Sequence, residues 1–225
     1  MSVLAPLAAR RVGSVPPQSD GVVRAMPLVL RLEKPPAGRT PVLEAAAAAA
    51  LAVCLDARAQ PGGEWHEAVD LWVTGRIRKI ARRARGGHWH AVQELPGVTW
   101  SVEQAQVRAL LPGPVEDVPR TVARLQIGGT ELEPDQPAPP RAGPVIFVNA
   151  ALRMTVGKAA AQVGHASMLH AAAHGLTEVP AFAVRDAGPE EWAELCRAVQ
   201  RGEAVAVRDA GFTEVAPGTI TCVVR

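Results

Sequence analysis

Four prolines fall within residues 133–143 (EPDQPAPPRAG) of this chain of 225 residues. Proline lacks an amide donor and clashes with the preceding helical turn, so neither a helix nor an interior strand can run through such a stretch. It reads as a Pro-rich linker between an N-terminal domain at 26–132 and a second domain at 144–225. Residues 1–25 scatter Pro, Gly and Ser without an apolar period and read as a flexible tail. Hydrophobic residues make up 48% of the chain, which supports a core and excludes global disorder.

After the linker, apolar runs and helical periods alternate. Residues 145–148 read as a strand and 157–174 as a helix. Residues 181–184 then read as a strand, and Pro189 opens a helix that ends near Arg201-Gly202. Residues 204–207 and 220–224 complete a set of four strands and two helices, the pattern of an α/β layer structure. Before the linker, 26–33 (MPLVLRLE) reads as a strand. Thr40-Pro41 is an N-cap and first helical residue for a helix through Cys54. Residues 64–93 read as helical with a break near Gly86-Gly87, and 125–132 fit either element. The N-terminal domain is therefore expected to be α/β or α-rich.

Two motifs carry the chemistry. The first is Gly157-Lys158-Ala159-Ala160-Ala161-Gln162-Val163-Gly164-His165-Ala166 at a helix start. The second is Arg208-Asp209-Ala210-Gly211-Phe212-Thr213-Glu214-Val215-Ala216-Pro217-Gly218-Thr219, between two strands. In that order they resemble the type-2 peptidyl-tRNA hydrolase family, the archaeal and eukaryotic-type enzymes that cleave peptide from tRNA. The resemblance covers 144–225 and implies a small mixed sheet of about four strands packed with helices. It also implies hydrolysis of the ester between peptide and tRNA, with no cofactor. The alternative is a catalytically inactive RNA- or ribosome-associated binding protein of the same fold. Two departures stand out. Family members often carry Arg-x-Asp-Leu where this chain has Asn149-Ala150-Ala151-Leu152, and a second lysine where it has Val156.

Ester hydrolysis needs a positioned water, donors for the developing oxyanion and cationic help near phosphates. Lys158 begins a helix, where free amides and the dipole already favour anions. Asp209 ends a strand beside a turn and is a candidate to position water or to pair with Lys158. Thr213 is a candidate donor to the scissile carbonyl, and Thr219 a hydroxyl that begins the last strand. His165, two turns beyond Lys158 on the same face, is a proton carrier or a packed partner. His170 and His174 share a face but lack a third ligand, so no metal site is expected. Asp186, in a second V-R-D-A-G string, reads as a turn or cap residue before the Pro189 helix.

Net charge is only +2, yet six basic residues crowd 76–85: Arg76, Arg78, Lys79, Arg82, Arg83 and Arg85. Read as a helix, this run is the candidate tRNA-binding surface, with Trp89 and His90 as stacking candidates for an unpaired base. Lysine is scarce: Lys34, Lys79 and Lys158 are the only three. Cys54, Cys196 and Cys222 lack metal-ligand spacing and read as buried thiols. No apolar run reaches the roughly 20 residues of a membrane span, so a cytoplasmic protein is expected, with a homodimer left open.

The two domains also resemble each other weakly. Pro27-Leu28-Val29-Leu30 aligns with Pro144-Val145-Ile146-Phe147, Arg78-Lys79 with Gly157-Lys158, and 127–134 with 210–217. This suggests a duplication whose first copy is degenerate, with Gln126 in the place of Asp209.

Overall fold

The computed structural model describes residues 2–8, 20–135, 143–211 and 214–225. In chain order the first half comprises α1 (Ala5–Ala8), β1 (Arg24–Arg31), α2 (Arg39–Leu55), α3 (His66–Thr74), β2 (Arg78–Ala84), α4 (Gly86–Gln93), β3 (Gly97–Val102), β4 (Ala105–Leu110), β5 (Gly113–Pro114) and α5 (Arg120–Ala123). The second comprises β6 (Val145–Asn149), α6 (Val156–His174), β7 (Ala183–Ala187), α7 (Pro189–Gln200), β8 (Val205–Arg208) and β9 (Ile220–Val224). This is an α/β fold with two mixed sheets.

The sheets repeat one topology. The first runs β2-β1-β4-β3, with β5 also on β1, and the second runs β7-β6-β9-β8. In each, the central strand pairs parallel with the strand after the long helix and antiparallel with the last strand. Leu28 pairs with Ala81 and Ala109 just as Ile146 pairs with Val184 and Val224. This register places Leu28 opposite Ile146, one residue away from the sequence alignment. A one-residue slip matters because it turns every side chain to the other face.

The repeat supports a duplicated fold and overturns two of the expected correspondences. Arg78-Lys79 belongs to β2, the counterpart of β7, and does not match Gly157-Lys158. Residues 127–134 follow β4 and α5, whereas the segment holding Asp209 joins β8 to β9. The corresponding β3–β4 connection is only Glu103-Gln104, and Gln126 forms a bridge with Arg83.

β1 is apolar from Ala25 to Leu30 because it is covered on both faces. Met26, Leu28 and Leu30 face the main core, whereas Val29 meets Trp89, Val92, Leu110, Val122 and Leu125 on the other side. β6 does the same, with Ile146 and Val148 inward and Phe147 against α7's Leu195. Ala45 to Cys54 of α2 are all buried, as a helix covered on every side must be. Its small residues admit α6 closely: Ser167 Oγ donates to the Ala47 carbonyl at 2.7 Å. One continuous apolar cluster spans both halves. The boundary at 133–143 therefore does not separate two independent cores.

Three other expectations change. The basic run 76–85 is mostly strand, not helix, because Gly75 ends α3 and the segment then pairs with β1 from Ala25↔Arg78 to Arg31↔Ala84. Within the tail, Val3, Leu4 and Leu7 are buried in the main core; residues 9–19 lie outside the described ones. Asp186 lies within β7 and takes Arg39 at 2.7 Å, leaving Gly188 as the N-cap of α7.

Most of the Pro-rich stretch, 136–142, is also outside the described residues. The segment leading into it is anchored at both ends. Thr130 Oγ1 accepts from the Gly157 amide at 3.0 Å, capping α6, and Asp135 accepts from the Thr40 amide at 2.8 Å and its hydroxyl at 2.6 Å, capping α2. No helix among the described residues is long and apolar enough to cross a membrane.

Candidate active site

The start of α6 is built by its own cap and by the β8–β9 connection. Thr155 Oγ1 accepts from the Lys158 amide at 3.2 Å, while its hydroxyl and amide donate to the two carboxylate oxygens of Glu214 at 2.7 and 2.9 Å. Glu214 thus ties the connecting loop to the helix. The loop is closed by Asp209, whose amide donates to the Thr219 carbonyl at 2.9 Å and whose carbonyl accepts from the Gly218 amide at 2.7 Å. Gly211 has a φ of +78°, and a Cβ there would lie 2.3 Å from the Pro217 ring, so the turn requires glycine.

These constraints bring Lys158 and Asp209 together. Lys158 Nζ lies 2.6 Å from Asp209 Oδ2, with side chains only 10% and 8% exposed. Gln162, one turn along α6, donates to the same oxygen at 2.8 Å. The Gln162 amide is oriented by the fully buried Thr221 of β9, whose hydroxyl donates to Oε1 at 2.5 Å. Asp209 Oδ1 accepts from the Gly211 amide at 2.7 Å. A carboxylate offers about four lone-pair sites. Among the described residues these partners take three, which leaves one on Oδ1 for a water.

His165 continues the stripe of Lys158 and Gln162 along α6. Its Nδ1 lies 3.1 Å from Lys79 Nζ, which reaches it from β2. Burial, then the Lys79 and Lys158 charges, hold the imidazole well below its ordinary pKa and hence neutral near pH 7. Thr213 lies outside the described residues. Thr219 is half-buried and contributes its backbone carbonyl.

The basic run does not form one surface. Lys79 is buried, and Arg76, Arg78 and Arg82 are half-buried; Arg82 donates to the Leu125 carbonyl at 2.9 Å. Only Arg83 and Arg85 of the six are exposed, and Arg83 Nε donates to Gln126 at 2.9 Å. Trp89 is core, which removes it as a stacking platform, while His90 is exposed. Cys54 and Cys222 are buried thiols with raised pKa values, and Cys196 is half-buried. His170 and His174 stack on each other at 4.2 Å.

Sequence reasoning missed Gln162, Thr221 and Glu214 as working parts of the site. Gln162 lay in view, four residues beyond Lys158 and so on its face. Thr221 and Glu214 gave no separate signal, because their roles arise from pairing β9 with β8 and from the path of the loop. No family model, no curated protein and no solved structure matches this chain.

Proposed function

We propose that the chain hydrolyses the ester joining a peptide to tRNA. The observation that carries this reading is the Lys158–Asp209 pair, held under the β8–β9 loop by Gln162, Thr221 and Gly211. It unites the two sequence motifs whose order resembles that of peptidyl-tRNA hydrolases.

In this mechanism Asp209 fixes the Lys158 ammonium and orients a water through the open lone pair of Oδ1. The water oxygen bonds to the ester carbonyl carbon, and the tetrahedral oxyanion forms beside Lys158 and the first turn of α6. The carbon–oxygen bond to the ribose then breaks, and the ribose oxygen takes up the proton that the attacking water gave to Asp209 as its oxygen bonded to the carbon. A preorganised cation and helix terminus act where charge develops, which is where electrostatics lowers a barrier most. Exposed Arg83 and Arg85 supply cationic contact for the tRNA backbone.

The test is release of free tRNA from a defined peptidyl-tRNA by the purified full chain. Lys158→Ala and Asp209→Asn should each lower turnover by about 10²-fold or more, the scale of losing one such donor or base. Near wild-type turnover in either variant would refute the assignment. A wild-type chain that binds tRNA without cleaving it would favour the non-catalytic RNA-binding alternative.

A further inference from the structure

Lys79 is buried, 9% exposed, in a chain with only three lysines. A buried ammonium ordinarily requires a carboxylate, because desolvation penalises it heavily. Among the described residues no carboxylate pairs with it. Nζ instead lies 3.1 Å from His165 Nδ1, 3.4 Å from the Ile77 carbonyl and 4.9 Å from the centre of the Trp72 ring. The surrounding structure makes room for it. A Cβ on Gly164 would come within 3.0 Å of Lys79 Cδ and Cε, so glycine at that position of α6 lets the lysine stem pass. The counterpart of Lys79 in the second sheet, two residues before Val184 as Lys79 is before Ala81, is the apolar Phe182.

We infer that Lys79, supplied by the first half, is a positioning residue of the site in the second half, donating to Nδ1 of His165 and thereby fixing the imidazole as its Nε2–H tautomer. The inference rests on the hydrolase reading only for its kinetic consequence. An ammonium has donors and no acceptor, so Nδ1 facing it must be the accepting nitrogen. The proton then sits on Nε2, which makes no hydrogen bond among the described residues, and the partly buried ring is left with one N–H to offer a substrate oxygen.

The groups around Lys79 leave this arrangement intact below about pH 7. Cys54 of α2 has its thiol pushed up to about 12 and stays uncharged. His165 of α6 is held neutral, with Lys158 adding to that effect, and Trp72 of α3 does not titrate in this range. Burial lowers Lys79 itself to about 7, so the ammonium that dictates this donor direction is the form below that pH, whereas the amine formed above it also has a lone pair able to accept from Nδ1–H. The sign of the stability effect follows. Between about 7 and 10.5 the folded chain has released a proton that the unfolded chain still binds, so stability rises with pH across that window. Below 7 both states are charged, and the cost of the buried ammonium is complete.

The experiment uses the full chain and three readouts. Nitrogen-15 spectra of the imidazoles, with His165→Gln to assign the signal, should show wild-type His165 neutral and Nε2-protonated at pH 6, where Lys79 is charged. In Lys79→Met the tautomers should mix and the His165 titration midpoint should rise, because a neighbouring cation has gone. Lys79→Met should also be at least as thermally stable as wild type below pH 7, the advantage shrinking toward pH 10, since an apolar side chain of similar volume replaces an unpaired cation. On peptidyl-tRNA its kcat should fall about tenfold or more with KM little changed, as when an orienting partner of a functional histidine is lost. An Nδ1-protonated or charged His165 in wild type, an unchanged tautomer in Lys79→Met, or a variant that unfolds at pH 7 would overturn the proposal. Absence of hydrolysis by wild type would instead sink the functional reading, leaving the tautomer result to stand.

Discussion

The two halves share strand order, pairing directions and register, yet only the second carries a nearly buried lysine–aspartate pair. By the register of the sheets, Val102 stands opposite Asp209 and Gln106 opposite Thr221. By distance from the central strand, Thr40 or Pro41 stands opposite Lys158. The eleven residues 209–219 between β8 and β9 shrink to the turn Glu103-Gln104 between β3 and β4. The first half's helix start is closed by the carboxylate of Asp135, where the second half keeps a lysine and a loop. The same sheet forms without the polar cluster, so the cluster is not a requirement of the fold. Desolvating two charges is costly, and the presence of the pair in one half is what the proposed function accounts for.

The largest test of this comparison is to separate the halves. Ser167 and Gly164 of α6 meet Ala47 and Ala50 of α2, and one apolar cluster runs through both sheets. Residues 144–225 alone should therefore lose cooperative folding or aggregate, read by circular dichroism and size-exclusion chromatography. A monomeric fragment with a sharp thermal transition would show that the repeat consists of two self-sufficient units after all.

Next in size is the energetic signature of the pair. Removing one member of a buried ion pair costs up to about 3–5 kcal/mol, because the other charge is left uncompensated. Lys158→Met and Asp209→Asn should each destabilise within that bound in urea titrations. The double variant should recover part of the loss while regaining no activity. Additive losses would mean that the two side chains are not energetically coupled and that their contact is incidental.

How much of this was legible in the sequence follows from where the information lies. The strands at 145–148 and 220–224 and the helix from 157 were readable because apolar runs are bounded there by glycine, proline and a helix-start motif. The basic run was misread because Arg78, Lys79, Arg82 and Arg83 carry no apolar alternation. Their strand identity comes from parallel pairing with β1 across an intervening helix. The β3–β4 hairpin escaped notice because its turn, Glu103-Gln104, has no glycine or asparagine even though Glu103 adopts a φ of +51°. Lys158 and Asp209 were found as members of motifs, but Lys79 and His165 meet across 86 residues. The one local hint was the scarcity of lysine itself.

A smaller effect is expected from the strap at 130–135, which caps one long helix in each half. Thr130→Val keeps the shape but leaves the buried Gly157 amide without its acceptor, at a cost of about 1–3 kcal/mol. Asp135→Ala removes the cap of the buried Thr40 amide and should cost about 1 kcal/mol. If the strap serves both helices, both losses should appear in a single cooperative unfolding transition. A separate early transition in the Asp135 variant would mean that α2 melts independently of the rest.

The smallest expected effect concerns the charges that the two halves divide between them. Residues 141–225 hold eight basic and eight acidic residues, so this half brings no net charge to a polyanion. The first half holds the basic run, but β2 turns Lys79 inward and half-buries Arg78 and Arg82, leaving Arg83 and Arg85 as its exposed cations. Each phosphate contact to a single strand contributes about 0.7 to the slope of log affinity against log salt. Arg83→Gln with Arg85→Gln should therefore lower that slope for tRNA by at most about 1.4. The full six-residue run would have predicted a loss of about 4 on the same scale. Because neither arginine touches the Lys158–Asp209 pair, the double variant should raise KM and leave kcat nearly unchanged. Binding isotherms between 50 and 200 mM salt decide the matter, and an unchanged slope would place the tRNA-contacting charge elsewhere on the molecule.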